Sequence, residues 1–565
     1  MPVEPVPATR PPRLRADLPE LTGFDSTSTS DSAGGDDDSR WFDRIGRPSV
    51  VALAAFFVLL GAGNYDLDAT EARLGLAVGD ALGPFGRVVG YWDPSVWPLP
   101  VVLGQLCGWF EEEGATQNAI RWPSAIAGCL IGYLLVRRGR LGLNPRAGAM
   151  VALAWFGSLA LVDRSIGVGG DLIAGLGTVA ALDRLLAKGS GWAVGFWASW
   201  AFLAGGWPPV AVLALCTVVL GRSGATLTGK MMIPVALTFA AWSAWALWQA
   251  PAEVWASALT LPVTQPSKWG MVLAVVAAGC PWAPFVGLMA ARSIQESWTG
   301  SGRSLVMGWL QISGAALLVG SIIPGLATAS TVPALAGLAF VSASVWDRAW
   351  VTVGSTSPVA PRRVLAGLTM LIAGLWLLIA LLWGGYVAFS VAYYRATIIV
   401  TLAFSVVGFV FAVEAARRSD PRRGFAAMAL VAVALKLAHW GYYVPEMNYR
   451  TSAGPWGRAI GQWVPDKHPI YTLHVWPADL AYATGRPVRQ VAAPQLIEFQ
   501  PGKGSKFVLL GESEYTEYLN WSDGWPKLIK VAEFSDELGL SRRFLTRTEG
   551  PILIGHPFKA NSATE

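Results

Sequence analysis

The chain has 565 residues, of which 53% are hydrophobic and only 14% charged, and its mean hydropathy is +0.43. A soluble protein of this size carries nearer a quarter charged residues, so the composition excludes a soluble enzyme and implies a chain that crosses a membrane many times. The formal net charge of +5 is spread over short loops rather than gathered in one stripe, which argues against a nucleic-acid surface.

Residues 1–46, rich in Pro, Ser, Asp and Arg, cannot bury enough apolar surface to fold alone and are expected to be a disordered cytoplasmic tail. No cleaved signal peptide is expected, because the first apolar run starts late and shows no cleavage site. That run, about 48–63, delivers the stretch GAGNYDLDATEAR (Gly61–Arg73) to a membrane surface. Asp66, Asp68 and Glu71 follow at once. Acids there can meet a lipid-borne substrate from one side and a water-soluble one from the other. The competing reading is solvated loop acids at a helix end. Leu74, Ala77, Val78 and Ala81 then fall on one helical face, as in a helix lying in the interface.

The stretch 95–110, SVWPLPVVLGQLCGWF, is apolar but holds Pro98 and Pro100. The positive-inside rule predicts that it lies along the surface, because otherwise Arg137, Arg138, Arg140 and Arg146 would fall outside. The remaining spans are predicted at 120–136, 147–162, 168–186, 190–205, 209–221, 231–249, 269–291, 304–322, 330–346, 364–389, 396–414 and 424–441. Basic residues crowd the loops on one side of this scheme, for example Arg222, Lys230, Arg362, Arg417 and Arg423. Few occupy the other side. About thirteen spans follow, with the N-terminus cytoplasmic and the C-terminus outside.

The outer loops collect the unusual polar residues. Asp93 sits in YWDPSVWP, and Arg121 opens a span in IRWPSAIAG. Asp163, Arg164 and Asp171 surround the turn LVDRSIGVGGD; Lys268 and Arg395 lie near two further outer turns. A charge at bilayer depth costs about 2.5–3.5 kcal/mol on insertion scales. Asp171, at the start of a span, therefore asks for a partner or a water-filled cavity, unless it is a satisfied N-cap. Bland readings stand beside these: Arg121 as an interfacial anchor, and Asp163–Arg164 as an exposed turn pair. Asp183, Arg184 and Lys188 read as a solvated helix end, and Lys436, near the end of the last span, as a snorkelling side chain. Four scattered cysteines and four histidines form neither CxxC nor HExxH, so neither a disulfide frame nor a His-built metal site is indicated.

Residues 442–565 are more polar. IYTLHV, KFVLLG, LIKVAEF and RRFLTR read as strands, and PADLAYATG as a short helix closed by Gly485. They suggest a small α/β domain on the outer face, without GxGxxG or a P-loop. The chain thus divides into a tail (1–46), a transmembrane region (47–441) and an extracytoplasmic α/β domain (442–565).

Taken in order, these motifs resemble those of polytopic GT-C glycosyltransferases. More narrowly, they resemble the bacterial glycosyltransferase family 39-like proteins, relatives of protein O-mannosyltransferases and lipid A aminoarabinose transferases. The matching pieces are EAR (71–73), RWPSAIAG (121–128), the spacing of Arg164 and Asp171, Pro281–Trp282, Pro333, and YTLHVWPADLAYATGRPVRQV (471–491). The resemblance covers most of residues 47–550. It implies a cytoplasmic-membrane enzyme that moves a sugar from a polyprenyl-phosphate donor to a lipid, glycan or protein acceptor on the outer side. Asp68, ahead of Asp66, is then the general base or acceptor-orienting acid, and Asp68 with Glu71 could share a divalent cation. Asp93, Arg121, Arg164, Asp171, Lys268 and Arg395 are the implied substrate-binding residues. The chain departs from the family where Thr70 replaces an acid, where DPSVWPLP and GGWPP lack a lysine, and where no cation precedes Pro333. Either Arg121, Arg164, Lys268 or Arg395 supplies the missing phosphate-binding charge, or the donor differs, or the protein is a non-catalytic binder of lipid-linked glycan or an envelope scaffold. A transporter is disfavoured by the lack of a clear internal repeat.

Overall fold

A computed structural model describes residues 72, 74–76, 97–109, 117–158, 171–221, 229–249, 268–295, 298, 300–351, 359–451, 454–465, 468–472, 478–486, 488–490, 506–520, 528–535 and 542–548. Asp66, Asp68, Glu71, Asp93 and Arg164 lie outside these residues.

Helix α1 (Pro98–Gly108) starts with proline at its first turn, where the missing N–H costs nothing. Its 11 residues reach about 16 Å, well short of a membrane core of about 30 Å. That length suits a segment lying along the surface, the position that the loop charges predict. The chain then runs up and down through α2 (Gln117–Gly142), α3 (Pro145–Gly157), α4 (Asp171–Leu186), α5 (Gly191–Gly205), α6 (Trp207–Gly221) and α7 (Gly229–Gln249). It continues through α8 (Lys268–Ala278), α9 (Gly300–Ile322), α10 (Ala327–Val351), α11 (Val359–Ser390), α12 (Arg395–Arg418) and α13 (Pro421–Ala438). Among the described residues, six helices are long and apolar enough to cross a membrane. One span predicted as continuous, 269–291, is not: Gly270–Ala278 and Ala283–Ala290 meet at 107°. Gly279 and Pro281 explain the break, since proline removes a helical donor and bars its predecessor from the helical region.

Two turns at one end of the bundle carry the same device. Asn144 accepts the Ala147 N–H at 2.7 Å ahead of Pro145, and Asp420 accepts the Arg422 N–H at 2.9 Å ahead of Pro421. An Asx cap followed by proline is a strong helix start. The same end gathers the basic residues. Arg138 grips Asp183 with Nε at 2.5 Å and Nη2 at 2.8 Å. Asp183 is thus a buried ion-pair partner, not part of a solvated helix end; Arg138 reaches it from the neighbouring helix, which the sequence does not announce. Asp347 accepts from Asn144 Nδ2 and Arg146 Nε, both at 2.8 Å. Arg146 and Arg422 each place their guanidinium over the Trp350 ring, at 5.8 and 5.4 Å. The loops assigned to one side from charge do therefore meet at one end of the bundle.

After α13 a π-helical turn (His439–Tyr443) leads into α14 (Val444–Thr451) and α15 (Gly454–Trp463). Strand β1 (Ile470–Thr472), helix α16 (Ala478–Thr484), strands β2 (Val488–Gln490) and β3 (Phe507–Gly511), helix α17 (Glu512–Asn520) and strands β4 (Leu528–Ser535) and β5 (Arg542–Thr548) follow. The sheet order is β2-β1-β3-β5-β4, with β1 parallel to β2 and β3, and β5 antiparallel to β3 and β4. The four segments read as strands all contribute, and Gly485 closes α16 at φ +61° as expected. Strand β2 and helices α14, α15 and α17 were not foreseen. Ile460, Ile470, Leu480, Val488, Phe507 and Leu545 form the core of this unit. Arg486, from the GRPVR segment, donates to the carbonyls of Val464 and Gly461, both at 3.0 Å. That satisfies the last turn of α15 and gives the motif a structural task.

Candidate functional site

The end of the bundle opposite the basic one carries the described candidates. It is formed by the starts of α2, α4, α6, α10 and α12, the ends of α3, α5, α9 and α11, and the upper part of α13. The first-loop residues and the C-terminal unit meet there. A side chain at Gly75 would collide with Ile120 Cδ1 at 2.8 Å and with the Tyr482 ring at 2.9 Å. Leu76 packs against the core of the C-terminal unit. The segment that continues from the acidic loop, the first turn of α2 and helix α16 thus share one junction.

Arg121 stands beside this junction. It is only 1% exposed and ranks among the largest fully buried side chains. An interfacial anchor would be open to lipid headgroups, so that bland reading falls: Arg121 belongs to the protein interior, where a guanidinium is retained only if it is bonded and paired. Asp171 opens α4, half-buried, where a carboxylate also faces the positive end of the helix dipole. Lys268 is the first residue of α8. Arg395 begins α12, exposed, and donates Nε to the Ala388 carbonyl at 3.2 Å. The structure brings Arg121 to the junction and leaves Arg395 on the surface.

Two further features of this end escaped the sequence. Trp97, Phe202, Trp207, Phe239 and Trp242 form an aromatic cluster with ring centroids 5.2–5.8 Å apart in successive contacts. It locks the start of α1 against α5, α6 and α7. Gly206 makes room for it, at φ +69° and directly under the Trp97 ring, where no other residue fits. The WPP segment that lacks the family's lysine is therefore part of an apolar wall. Elsewhere Tyr394 donates its hydroxyl to Glu446, and its ring packs edge-on against Tyr442 at 5.0 Å.

Lys436 is the larger surprise. It is 8% exposed, so it does not snorkel to the interface. Snorkelling requires a side chain on the lipid face. Lys436 instead continues the interior stripe of α13 that holds Phe425, Met428 and Ala432. Among the described residues, no group of three or more His, Cys, Asp or Glu is arranged to hold a metal ion.

No family model and no curated protein matches the sequence. Solved structures do. ArnT from Cupriavidus metallidurans in the apo state aligns over 90% of this chain and 98% of its own, at 14% identity and a TM-score of 0.67. The same protein bound to undecaprenyl phosphate aligns over the same shares at 15% identity and a TM-score of 0.66. AglB from Archaeoglobus fulgidus reaches a TM-score of only 0.42. At such identities the likeness is one of fold. The chain is a multi-pass membrane protein of the GT-C fold with a small C-terminal sheet, as the ordered motifs led one to expect.

Proposed function

We propose that the protein is a membrane glycosyltransferase. It moves a sugar from a polyprenyl-phosphate carrier to a lipid, glycan or protein acceptor at the outer face of the cytoplasmic membrane. The observation that carries this reading is the fold match along nearly the whole of both chains to ArnT, one of whose structures holds undecaprenyl phosphate. The transmembrane region alone, residues 47–441, is about 70% of the chain, short of the 90% that aligns.

In this reading the acceptor hydroxyl or amine attacks the anomeric carbon as the bond to the lipid phosphate breaks. Asp68 removes the acceptor proton, and Glu71 lies near it in sequence. Positive groups stabilise the phosphate as it leaves. Arg121 suits that task in charge, and its junction with residues 74–76 favours it over the exposed Arg395. The C-terminal unit, held against the first loop through Leu76 and Tyr482, suits a platform for the acceptor.

The test is direct. Purified protein in lipid nanodiscs is offered a set of polyprenyl-phosphate sugars, and release of the free polyprenyl phosphate is measured. Turnover with at least one donor is expected. The second reading, a non-catalytic binder of lipid-linked glycan, is favoured by the missing lysines of DPSVWPLP and GGWPP. Tight donor binding without release in any acceptor mixture would select it.

A further inference from the structure

We propose that the acidic segment 16–39 of this chain docks on a basic patch formed by the ends of α2 and α4 and the start of α9. The docking is an interaction within one chain and does not depend on the sugar-transfer reading above.

The patch is built by packing. Arg138 of α2 holds both carboxylate oxygens of Asp183 in α4, which sets the last turns of the two helices side by side. A side chain at Gly142, the last residue of α2, would meet Leu305 of α9, and one at Gly302 would meet Leu143 at 3.4 Å. A side chain at Gly308 of α9 would meet Leu186, the last residue of α4. The three helix ends therefore share one corner of the bundle. They bring Arg137, Arg140, Arg184, Lys188 and Arg303 to it, and all five are exposed.

The charge of this corner is not answered locally. Among the described residues there, Asp183 is the one acid, and Arg138 engages it. None of the five exposed cations has an ion-pair partner among the described residues. The α12–α13 turn is different. There Glu414 meets Arg418 at 3.1 Å and Arg423 at 2.8 Å, and Asp420 faces Arg423 at 3.5 Å. Lys188 also holds φ +51°, the left-handed conformation in which a helix ends most easily on glycine. The corner thus keeps a cation at a backbone position that glycine fits better.

The occupant follows from charge, side and reach. Residues 16–39 lie outside the described residues, and their charge is read from the sequence. They hold seven acidic residues, three of them consecutive (Asp36, Asp37 and Asp38), and no lysine or arginine. Leu76 packs on the C-terminal unit, at the end of the bundle opposite the basic one. Between the segment and Leu76 the sequence has one apolar run, 48–63, and one crossing returns the segment to the basic end. Gly75 is fixed at the first turn of α2, and the patch lies at the last turn of the same helix. The link from 40 to 47 spans up to about 27 Å when extended. A tether that short holds the acids near the patch at an effective concentration on the order of millimolar. Anionic lipid headgroups share the sign of the segment, but they arrive singly, whereas the segment brings its acids on one chain.

A photo-crosslinker tests the docking. Phe24→p-benzoylphenylalanine places it inside the acidic segment of the full chain, held one chain to a nanodisc of phosphatidylcholine. The main crosslinks should fall on residues 137–143, 183–190 and 300–305, and their yield should fall at about 1 M salt, where the Debye length is about 3 Å. Asp36→Asn, Asp37→Asn and Asp38→Asn together should lower the yield about 3–30-fold, and so should Arg140→Gln, Arg184→Gln and Lys188→Gln together. Exchanging the signs, with lysine at the three aspartates and glutamate at the three cations, should restore it to within about threefold. Crosslinks to another part of the chain, or a yield indifferent to salt and to both sets of variants, would overturn the proposal. Loss of the crosslinks in phosphatidylglycerol nanodiscs would give the patch to lipid headgroups and overturn it too. Crosslinks that form only between chains, in detergent, would make a second copy the occupant and overturn docking within the chain. Should the variant of the three cations not fold, the three aspartate substitutions, which leave the bundle untouched, decide alone.

Discussion

Replacing Asp347 by alanine should lower the stability of the transmembrane bundle by about 3 kcal/mol. Asp347 is 1% exposed and accepts two hydrogen bonds of 2.8 Å, one from Arg146 and one from Asn144. Removing one partner of a buried pair costs about 3–5 kcal/mol, because the other charge stays behind uncompensated. The Arg146 side chain is 21% exposed and keeps the face of Trp350, so water recovers part of the loss. That places the effect at the lower end of the range. Asn144 still caps α3 through Oδ1, so its own helix start survives. Asp347→Asn keeps the shape and loses the charge; it should cost about 1.5–3 kcal/mol, the usual worth of a hydrogen bond to a charged group. Removing both charges, in Asp347→Leu with Arg146→Met, should cost less than Asp347→Ala alone. Reversible unfolding in mixed detergent micelles, monitored by tryptophan fluorescence, of wild type, Asp347→Leu, Arg146→Met and the double variant gives the four values needed for a double-mutant cycle. A single variant within about 0.5 kcal/mol of wild type would refute the buried-pair argument. So would a double variant less stable than either single one.

Other outcomes follow from the same picture. A reporter fused after Arg423 should be found in the cytoplasm and one after Tyr449 outside; the same compartment for both would break the assigned sidedness. Asp68→Asn should reduce transfer about 10²–10⁴-fold with donor binding largely kept, measured as release of polyprenyl phosphate; full activity would move the role to Asp66. Deleting residues 450–565 should impair acceptor use more than donor binding, and unchanged transfer would remove the acceptor platform from the proposal. Gly75→Val should expose the C-terminal unit to limited proteolysis, because the new side chain meets Ile120 and Tyr482 at 2.8–2.9 Å; an unchanged digestion pattern would count against the junction.

Much of the frame was legible because its causes are local. A span needs a run of about twenty apolar residues, and nothing distant alters that requirement. The sides of the loops could be read from Arg and Lys counts, and the Asn144–Pro145 and Asp420–Pro421 helix starts from adjacent residues. The C-terminal strands showed as short runs rich in β-formers, whereas β2 (Val488–Gln490) holds one valine among polar residues and gave no such run. The break at Pro281 was not foreseen, although the proline stands inside the predicted span 269–291. Its angle of 107° could not be read either, because neighbouring helices set the path of the chain after a break.

The faces of the helices were decided only by the tertiary structure. In a water-soluble protein the polar side of a helix marks the exterior. In a membrane, lipid and protein interior are about equally apolar, so the pattern along α13 carries no sign of which residues look inward. Lys436 near a span end reads as a snorkelling side chain until Phe425 and Ala432 are seen against Trp282 and Gly157. Asp183 reads as a solvated helix end until Arg138 arrives from α2, and Arg121 as an interfacial anchor until the C-terminal unit closes beside it. Asp183 owes its role to a partner 45 residues away in the chain, and Arg121 and Lys436 are buried by segments distant in sequence. A sequence marks the expense of placing a charge in a bilayer; only the packed helices say which group answers it.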